Sequence, residues 1–390
     1  MQLRDETELV LRSWDAYERS RGSAPIIDYD CHPVDEAAKA SASRVEVLRQ
    51  LEELTASAQR DPDETRIRLR LRADIGYLRA LLGERPPLTE YVRATQGCPA
   101  VGWSAAYVTS RGEAARAAIE SLGIRWDADT LAELAAHEGR LTTEQASDAI
   151  RGAAEELEPL VRKLTGTDAP FRLSVESADV DAYWGYWLDG RGSDARLRLN
   201  LRKAQFTEVQ ARVFALHEVL GHALQGASYA AQCATNDVPW VRLLSVHAPQ
   251  QVLLEGLAQA LPLFVVPNEE SVVLRTRLAH FHQLVMSELH LAVNAGVPVD
   301  QCVSLAKSRV PYWTDENIAD LLTDRSVNPQ LRSYMWSYCA GIDWFVALAE
   351  AGGQVAGEVL KAAYLSPLTP EDLESLWAAG PSVGGSNPVP

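Results

Sequence analysis

Five cysteines, eight histidines, three methionines and a shortage of basic side chains mark this sequence, and it has no long apolar run. Each shortage excludes something. The cysteines (Cys31, Cys98, Cys233, Cys302 and Cys339) are scattered and odd in number, with no Cys-x-x-Cys spacing. Neither a disulfide framework nor a cysteine-based zinc site is indicated. A formal charge of −16 lacks the basic footprint that grips phosphates, which argues against a nucleic-acid partner. No segment reaches the ~20 apolar residues of a membrane-spanning helix. The start, Met1 to Glu6, lacks the apolar core of a secretory signal. The expectation is a cytoplasmic protein with reduced thiols, no membrane contact and one or two domains.

Two of the scarce histidines stand close together, in His217-Glu218-Val219-Leu220-Gly221-His222. A hydrolytic zinc site needs two neutral nitrogen ligands and an acid that handles a proton, and this hexapeptide holds all three. The usual H-E-x-x-H spacing separates its histidines by four residues. Here they are five apart, which on a regular α-helix turns them roughly 140° from one another. A π-bulge absorbs one extra residue and restores a common face. Gly221, without a side chain, is where such widening is cheapest, so a bulge or kink is expected between Val219 and Gly221. The surrounding helix is expected over about Thr207 to Tyr229, opened by a Thr207/Gln210 capping box.

A third ligand is needed. Glu255 is the best candidate, because it lies in the apolar run Val252 to Val266, which reads as a buried helix. An acid there is costly unless a cation accompanies it. The rivals are His247 and the pair Glu288 and His290.

The remainder divides into an amino-terminal helical lobe (1–165), a lobe carrying the site (166–380) and a flexible tail (381–390). Helical periodicity predicts helices over 35–59, 63–82, 111–122, 127–136, 143–164 and 271–295, while 332–349 is aromatic and apolar. His137 reads as a partner of a helix C-terminus, and His32 has no assigned role. Between the lobes the pattern shifts to alternation and aromatics, from Phe171 through Tyr183–Leu188, a turn at Asp189–Asp194 and Leu197–Leu201. This predicts a hairpin just before the histidine helix, whose strand could offer an open edge to an extended substrate.

The stretch from about Ala182 to Leu348 resembles the bacterial domain-of-unknown-function family numbered 885, zinc-peptidase-like proteins of the gluzincin kind. That family writes its metal helix approximately as H-E-x-x-P-G-H-H-x-Q and a second motif as E-G-W-A. The matching residues are His217, Glu218, Gly221, His222 and Gln225, then Glu255, Gly256 and Ala258. Weaker similarities join a later D-T-G-x-H to Ser287–His290, and P-G-Q-A-x-x-Y-x-x-G to Arg332–Gly341, carrying over His290, Tyr338 and Gly341. The metal helix is one residue shorter than the family form and lacks its proline. Its spacing looks instead like the H-E-x-x-G-H of dipeptidyl peptidase III. The resemblance implies a mainly α, zincin-like helical metallopeptidase fold, with one small sheet or hairpin beside the metal helix and a central cleft. It implies a zinc ion held by His217, His222 and Glu255, with Glu218 as base and Tyr338 or His290 facing a developing oxyanion.

The expected function is metal-dependent hydrolysis of an amide in a small peptide or amino-acid conjugate. Arg332, Arg309 or Lys307 could hold a substrate carboxylate. The alternative keeps the same two histidines and glutamate but binds Fe2+, the ligand set of non-haem iron enzymes of small-molecule biosynthesis. Glu218 argues for hydrolysis, because an oxygenase has no use for a base beside its ligand.

Overall fold

Helical periodicity runs through most of the sequence, and the structure, a computed structural model that describes residues 2–58, 64–179, 186–200 and 205–385, is mainly helical with one small mixed sheet. The amino-terminal part contains α1 (Leu3–Ser20), β1 (Tyr29–Asp30), α2 (Arg44–Ala58), α3 (Thr65–Leu81), α4 (Leu88–Thr95), α5 (Ala105–Ser121), α6 (Thr130–His137), β2 (Arg140–Leu141) and α7 (Thr143–Thr165). Strands β3 (Arg172–Ala178), β4 (Tyr186–Arg191), β5 (Asp194–Asn200) and β6 (Phe206–Thr207) lead into α8 (Glu208–Phe214), a π-helical segment (Ala215–Ala223) and α9 (Leu224–Thr235). After β7 (Leu243–Leu244) come α10 (Gln251–Val265), α11 (Glu270–Asn294), α12 (Val299–Arg309), α13 (Asp315–Val327), α14 (Pro329–Ala351), α15 (Gly353–Leu365) and α16 (Pro370–Leu376).

Side-chain caps set several of these boundaries. Reciprocal capping boxes open α7 (Thr142/Gln145), α8 (Thr207/Gln210), α13 (Thr314/Asn317) and α16 (Thr369/Asp372). The second helix starts later than expected, because the Ser43 hydroxyl accepts from the Glu46 amide and fixes the first turn there. The fifth starts earlier than expected, at a Ser104 cap that accepts from the Tyr107 amide.

The main core joins α7, the π-helical segment, α10, α14 and α15 through Leu157, Leu216, Leu220, Leu257, Trp336 and Leu360. It draws residues from both sides of position 165. Helix α10 is buried over nearly its whole length, as its apolar run predicts. It lies so close to α14 that a methyl group built on Gly256 would stand 2.3 Å from the Gly341 Cα. A second core links α5 with α11, α12 and α13 around Phe281, Leu289 and Ile318. A third links α1, α2 and α3 around Trp14, Leu51 and Leu71.

The larger sheet has the order β3-β5-β4-β1-β7. The expected hairpin is β4–β5, antiparallel, with Tyr186 opposite Leu199 and Arg191 opposite Asp194. One expectation is corrected here. Strand β5 is interior, paired with β3 on its other side, and offers no edge. Besides the outer sides of β3 and β7, part of β4 is open, because β1 pairs only with Gly190 and Arg191 and no described strand covers Tyr186–Asp189. Of the aromatic run, residues 183–185 lie outside the described residues. The tail is also corrected over 381–385: Val383 is buried and its amide donates to Glu374, while the Gly384 carbonyl accepts from Gly102. Residues 386–390 lie outside the described part.

Candidate metal centre

The histidine helix widens where its spacing demands. The π-helical segment covers all six residues from His217 to His222, a longer stretch than a single bulge, and runs on into α9. Gly221 lies against α10: a Cβ there would meet the Ala258 Cβ at 2.8 Å and the Leu216 carbonyl oxygen at 2.9 Å. Any side chain at 221 would therefore collide both with the widened turn and with the neighbouring helix.

The result is convergence. The Nε2 atoms of His217 and His222 are 3.2 Å apart, and the rings are edge to face with centroids 4.8 Å apart. From α10, Glu255 brings its Oε2 to 3.6 Å from each of these nitrogens, too far for a hydrogen bond. That Oε2 is buried without a hydrogen-bond partner. The other carboxylate oxygen, Oε1, accepts from the Tyr334 hydroxyl, which in turn accepts from the Tyr338 hydroxyl at 3.1 Å. Glu218 is buried with its Oε1 3.5 Å from His217 Nε2.

Donor atoms of His217, Glu218 and His222 all lie within 4.8 Å of one another. Of the two carboxylates, Glu255 is the better third donor, since it approaches both imidazoles equally and has an orphaned oxygen aimed between them. A tetrahedral ion with ligand bonds of about 2.0–2.1 Å has donor–donor edges of about 3.3–3.4 Å. The observed 3.2 and 3.6 Å bracket that value, so the residues present fit such an ion.

Electrostatics couple the set. Burial disfavours the charged form of His222, but Glu255 and Glu218 outweigh it and hold the imidazole's pKa above its ordinary value. Burial also works against the charged Glu255, and the facing imidazoles of His222 and His217 overcome it, keeping the carboxyl below the usual range. Burial, then the Glu255 charge, push Tyr334 and Tyr338 well above an ordinary phenol, so both remain protonated donors. A cavity of about 280 Å³ lies over these groups, lined by Tyr186, Trp187, His217, Glu218, His222, Glu255, Tyr334 and Tyr338 among others.

The structure thus brings together His217, Glu218, His222, Glu255 and Tyr338. It does not bring His290, and that expectation is corrected. His290 Nδ1 accepts from the Trp336 indole at 3.1 Å, so its Nε2 carries the proton and donates to the Arg325 carbonyl at 2.7 Å. Both nitrogens are spent inside the α11/α13/α14 packing, and none is left to meet an oxyanion. The rival ligands are also committed: His247 to Asp74 at 2.8 Å, and Glu288 to Arg309 at 3.0 Å. The three basic residues expected to hold a carboxylate face elsewhere. Arg332 donates to Asn294 and the Pro86 carbonyl, Arg309 pairs with Glu288, and Lys307 pairs with Asp315. Gln225 reaches away to the Ala363 carbonyl. Sequence reading missed Tyr334. Its signal is the four-residue spacing to Tyr338, which puts both hydroxyls on one helix face.

No family model matches the chain, and no curated protein matches it. Among solved structures the chain is similar to "The crystal structure of the putative lipoprotein from Colwellia psychrerythraea". The two share 12% identity with a TM-score of 0.57 over 86% of this chain and 69% of that one, a likeness of fold alone.

Proposed function

We propose that this protein is a metal-dependent hydrolase that cleaves an amide bond in a short peptide or amino-acid conjugate. His217, His222 and Glu255 would hold the metal, with zinc preferred, on a zincin-like scaffold. The observation that carries the reading is the orphaned Glu255 Oε2, buried and equidistant at 3.6 Å from two imidazole nitrogens, with a second acid beside them. A bound zinc supplies a Lewis acid and lowers the pKa of water to about 7.

The chain's own residues supply the rest. Glu218 is not needed as a ligand and is free to accept the proton of the attacking water and deliver it to the leaving amine. Tyr338 lines the cavity and its present acceptor is another hydroxyl, so it can turn its O–H towards an oxyanion; such a donor is worth about 3 kcal/mol in the barrier. Tyr334 holds the Glu255 carboxylate in the orientation that leaves Oε2 facing the histidines. The free edge of β4 over Tyr186–Leu188 lies along the cavity and suits an extended backbone.

The test measures bound metal beside turnover of a short-peptide library. Wild type should carry about one zinc per chain, His222→Ala and Glu255→Ala should lose it, and Glu218→Gln should keep it while losing turnover. Equal metal in all four proteins defeats the ligand assignment. Full turnover by Glu218→Gln defeats the base, and turnover that requires oxygen and iron favours the iron enzyme.

A further inference from the structure

Three cavities meet along β4. The one over the histidines shares Tyr186, His217 and Glu218 with an outer pocket of about 380 Å³. On its other side it shares Asp28 and Trp187 with a groove of about 940 Å³ that is also lined by Arg12, Asp15 and Arg19 of α1. Asp28 and Trp187 therefore form the wall common to the site and the larger groove.

Asp28 is held rigidly. Its amide donates to the Leu244 carbonyl at 3.0 Å, and its carbonyl accepts from the Gly190 amide at 3.4 Å, so the sheet fixes the backbone on both sides. Its carboxylate is not satisfied: Oδ2 is buried and has no hydrogen-bond partner among the described residues. An orphaned buried acceptor is costly, and such groups commonly answer to a ligand. The cations nearest in influence are engaged elsewhere, Arg19 with Asp15 at 2.5 Å and Arg70 with Asp74 at 3.0 Å. Within the groove Arg12 pairs with Asp30 at 2.5 Å and Arg196 with Asp189 at 2.9 Å.

We infer that Asp28 and Trp187 form a subsite for a cation, a primary ammonium or guanidinium group carried by the substrate, placed on the groove side of the histidines. The carboxylate provides a charge-assisted bond and the indole a face for the cation. Burial drives the Asp28 carboxyl up to about 7, against the Val246 amide and with the Asp15 charge adding, as befits an acid whose counter-ion is not built into the protein. The sign follows from the carboxylate itself, which when ionised can only accept and so favours a donor cation over a substrate carboxylate. The subsite stands on its own geometry, and only its position relative to the scissile amide rests on the hydrolase reading.

The test uses two chelating probes that differ only by the terminal ammonium group, Nα-acetyl-lysine hydroxamate and Nα-acetyl-norleucine hydroxamate, titrated calorimetrically into zinc-loaded protein. Wild type should bind the lysine compound about tenfold or more tightly. In Asp28→Asn the ratio should fall to near one, with zinc content and norleucine-compound affinity kept, and in Trp187→Leu it should shrink. A ratio near one in wild type, or an undiminished ratio in Asp28→Asn, overturns the inference. If Asp28→Asn fails to melt cooperatively, the wild-type ratio and its response to Trp187→Leu decide. n-Pentylammonium titrated into metal-free protein separates the two proposals. Trp187-sensitive binding of that ion, with neither hydroxamate bound to zinc-treated protein, sinks the metal site and keeps the subsite. No binding of any probe sinks both.

Discussion

Replacing Gly256 by alanine tests the helix contact on which Glu255 depends. In an isolated helix the change would stabilise by about 1 kcal/mol, because glycine is the poorer helix former. In this protein the added Cβ would stand 2.3 Å from Gly341 Cα and 2.7 Å from its carbonyl oxygen. Ordinary contact begins near 3.4 Å, so α10 and α14 must part by about 1 Å. Overpacking of that kind typically costs about 1–3 kcal/mol, and here the obstacle is backbone that no rotamer change can clear. The sign of the effect is therefore diagnostic: a net loss of about 1–2 kcal/mol, read as a lowered urea midpoint by tryptophan fluorescence. Glu255 is the adjacent residue, and its Oε2 is already at the wide end of the donor spacing. A shift of about 1 Å should weaken zinc binding about tenfold or more in a chelator competition, since sites loosen on that scale. Gly341→Ala should behave alike, its Cβ meeting the Val252 carbonyl oxygen at 2.3 Å. A Gly256→Ala protein as stable as wild type, or more so, with unchanged zinc affinity, would refute the close-contact reasoning.

Tyr334→Phe removes the donor to Glu255 while leaving all three ligands, and should weaken zinc binding about 10–100-fold in the same competition; an unchanged affinity would show that the hydroxyl orients nothing. Burial lowers His290 and His282 from 6.5 to about 4, helped in His290 by the Arg332 and Arg325 charges and in His282 by Arg275. Their folded pKa values lie below the unfolded ones, so the stability they contribute is present above about pH 6.5 and lost as pH falls through about 4. This amounts to roughly 3 kcal/mol each. Urea midpoints should therefore fall between pH 6.5 and 4, and a flat profile there would contradict it. In His290→Phe that slope should shrink by about one proton.

How much was legible follows the range of the interactions involved. The π-helical widening is encoded within six residues, because two histidines five apart on a helix share a face only if the helix widens; even so, the widened segment Ala215–Ala223 is longer than the spacing alone requires. Glu255 was legible because an acid in a run as apolar as Val252–Val266 needs a reason to be there, and Tyr338 through a resemblance in spacing. His290 looked like a site residue through the same resemblance as Tyr338, as the histidine that ends Ser287–His290. Its partners, the Trp336 indole and the Arg325 carbonyl, come from 46 and 35 residues away. No local pattern distinguishes a histidine satisfied at that distance from one left open to a ligand.

The same limit governs the sheet and the sign of charge in the cleft. Strand β1 is two residues long, too short for alternation to reveal, yet it extends the sheet and sets Asp28 beside Trp187 across more than 150 residues of chain. Arg332, Arg309 and Lys307 were attractive anchors because a basic side chain can hold a carboxylate by a charge-assisted bond, but each is engaged elsewhere. Beside Glu255, a second buried carboxylate oxygen without a hydrogen-bond partner among the described residues of the cleft belongs to Asp28, from the opposite end of the chain. Local sequence thus carries the candidate metal centre, whose proposed ligands share one helix or face it. Which polar groups around the cavity keep a free oxygen is settled only when distant segments have taken their partners.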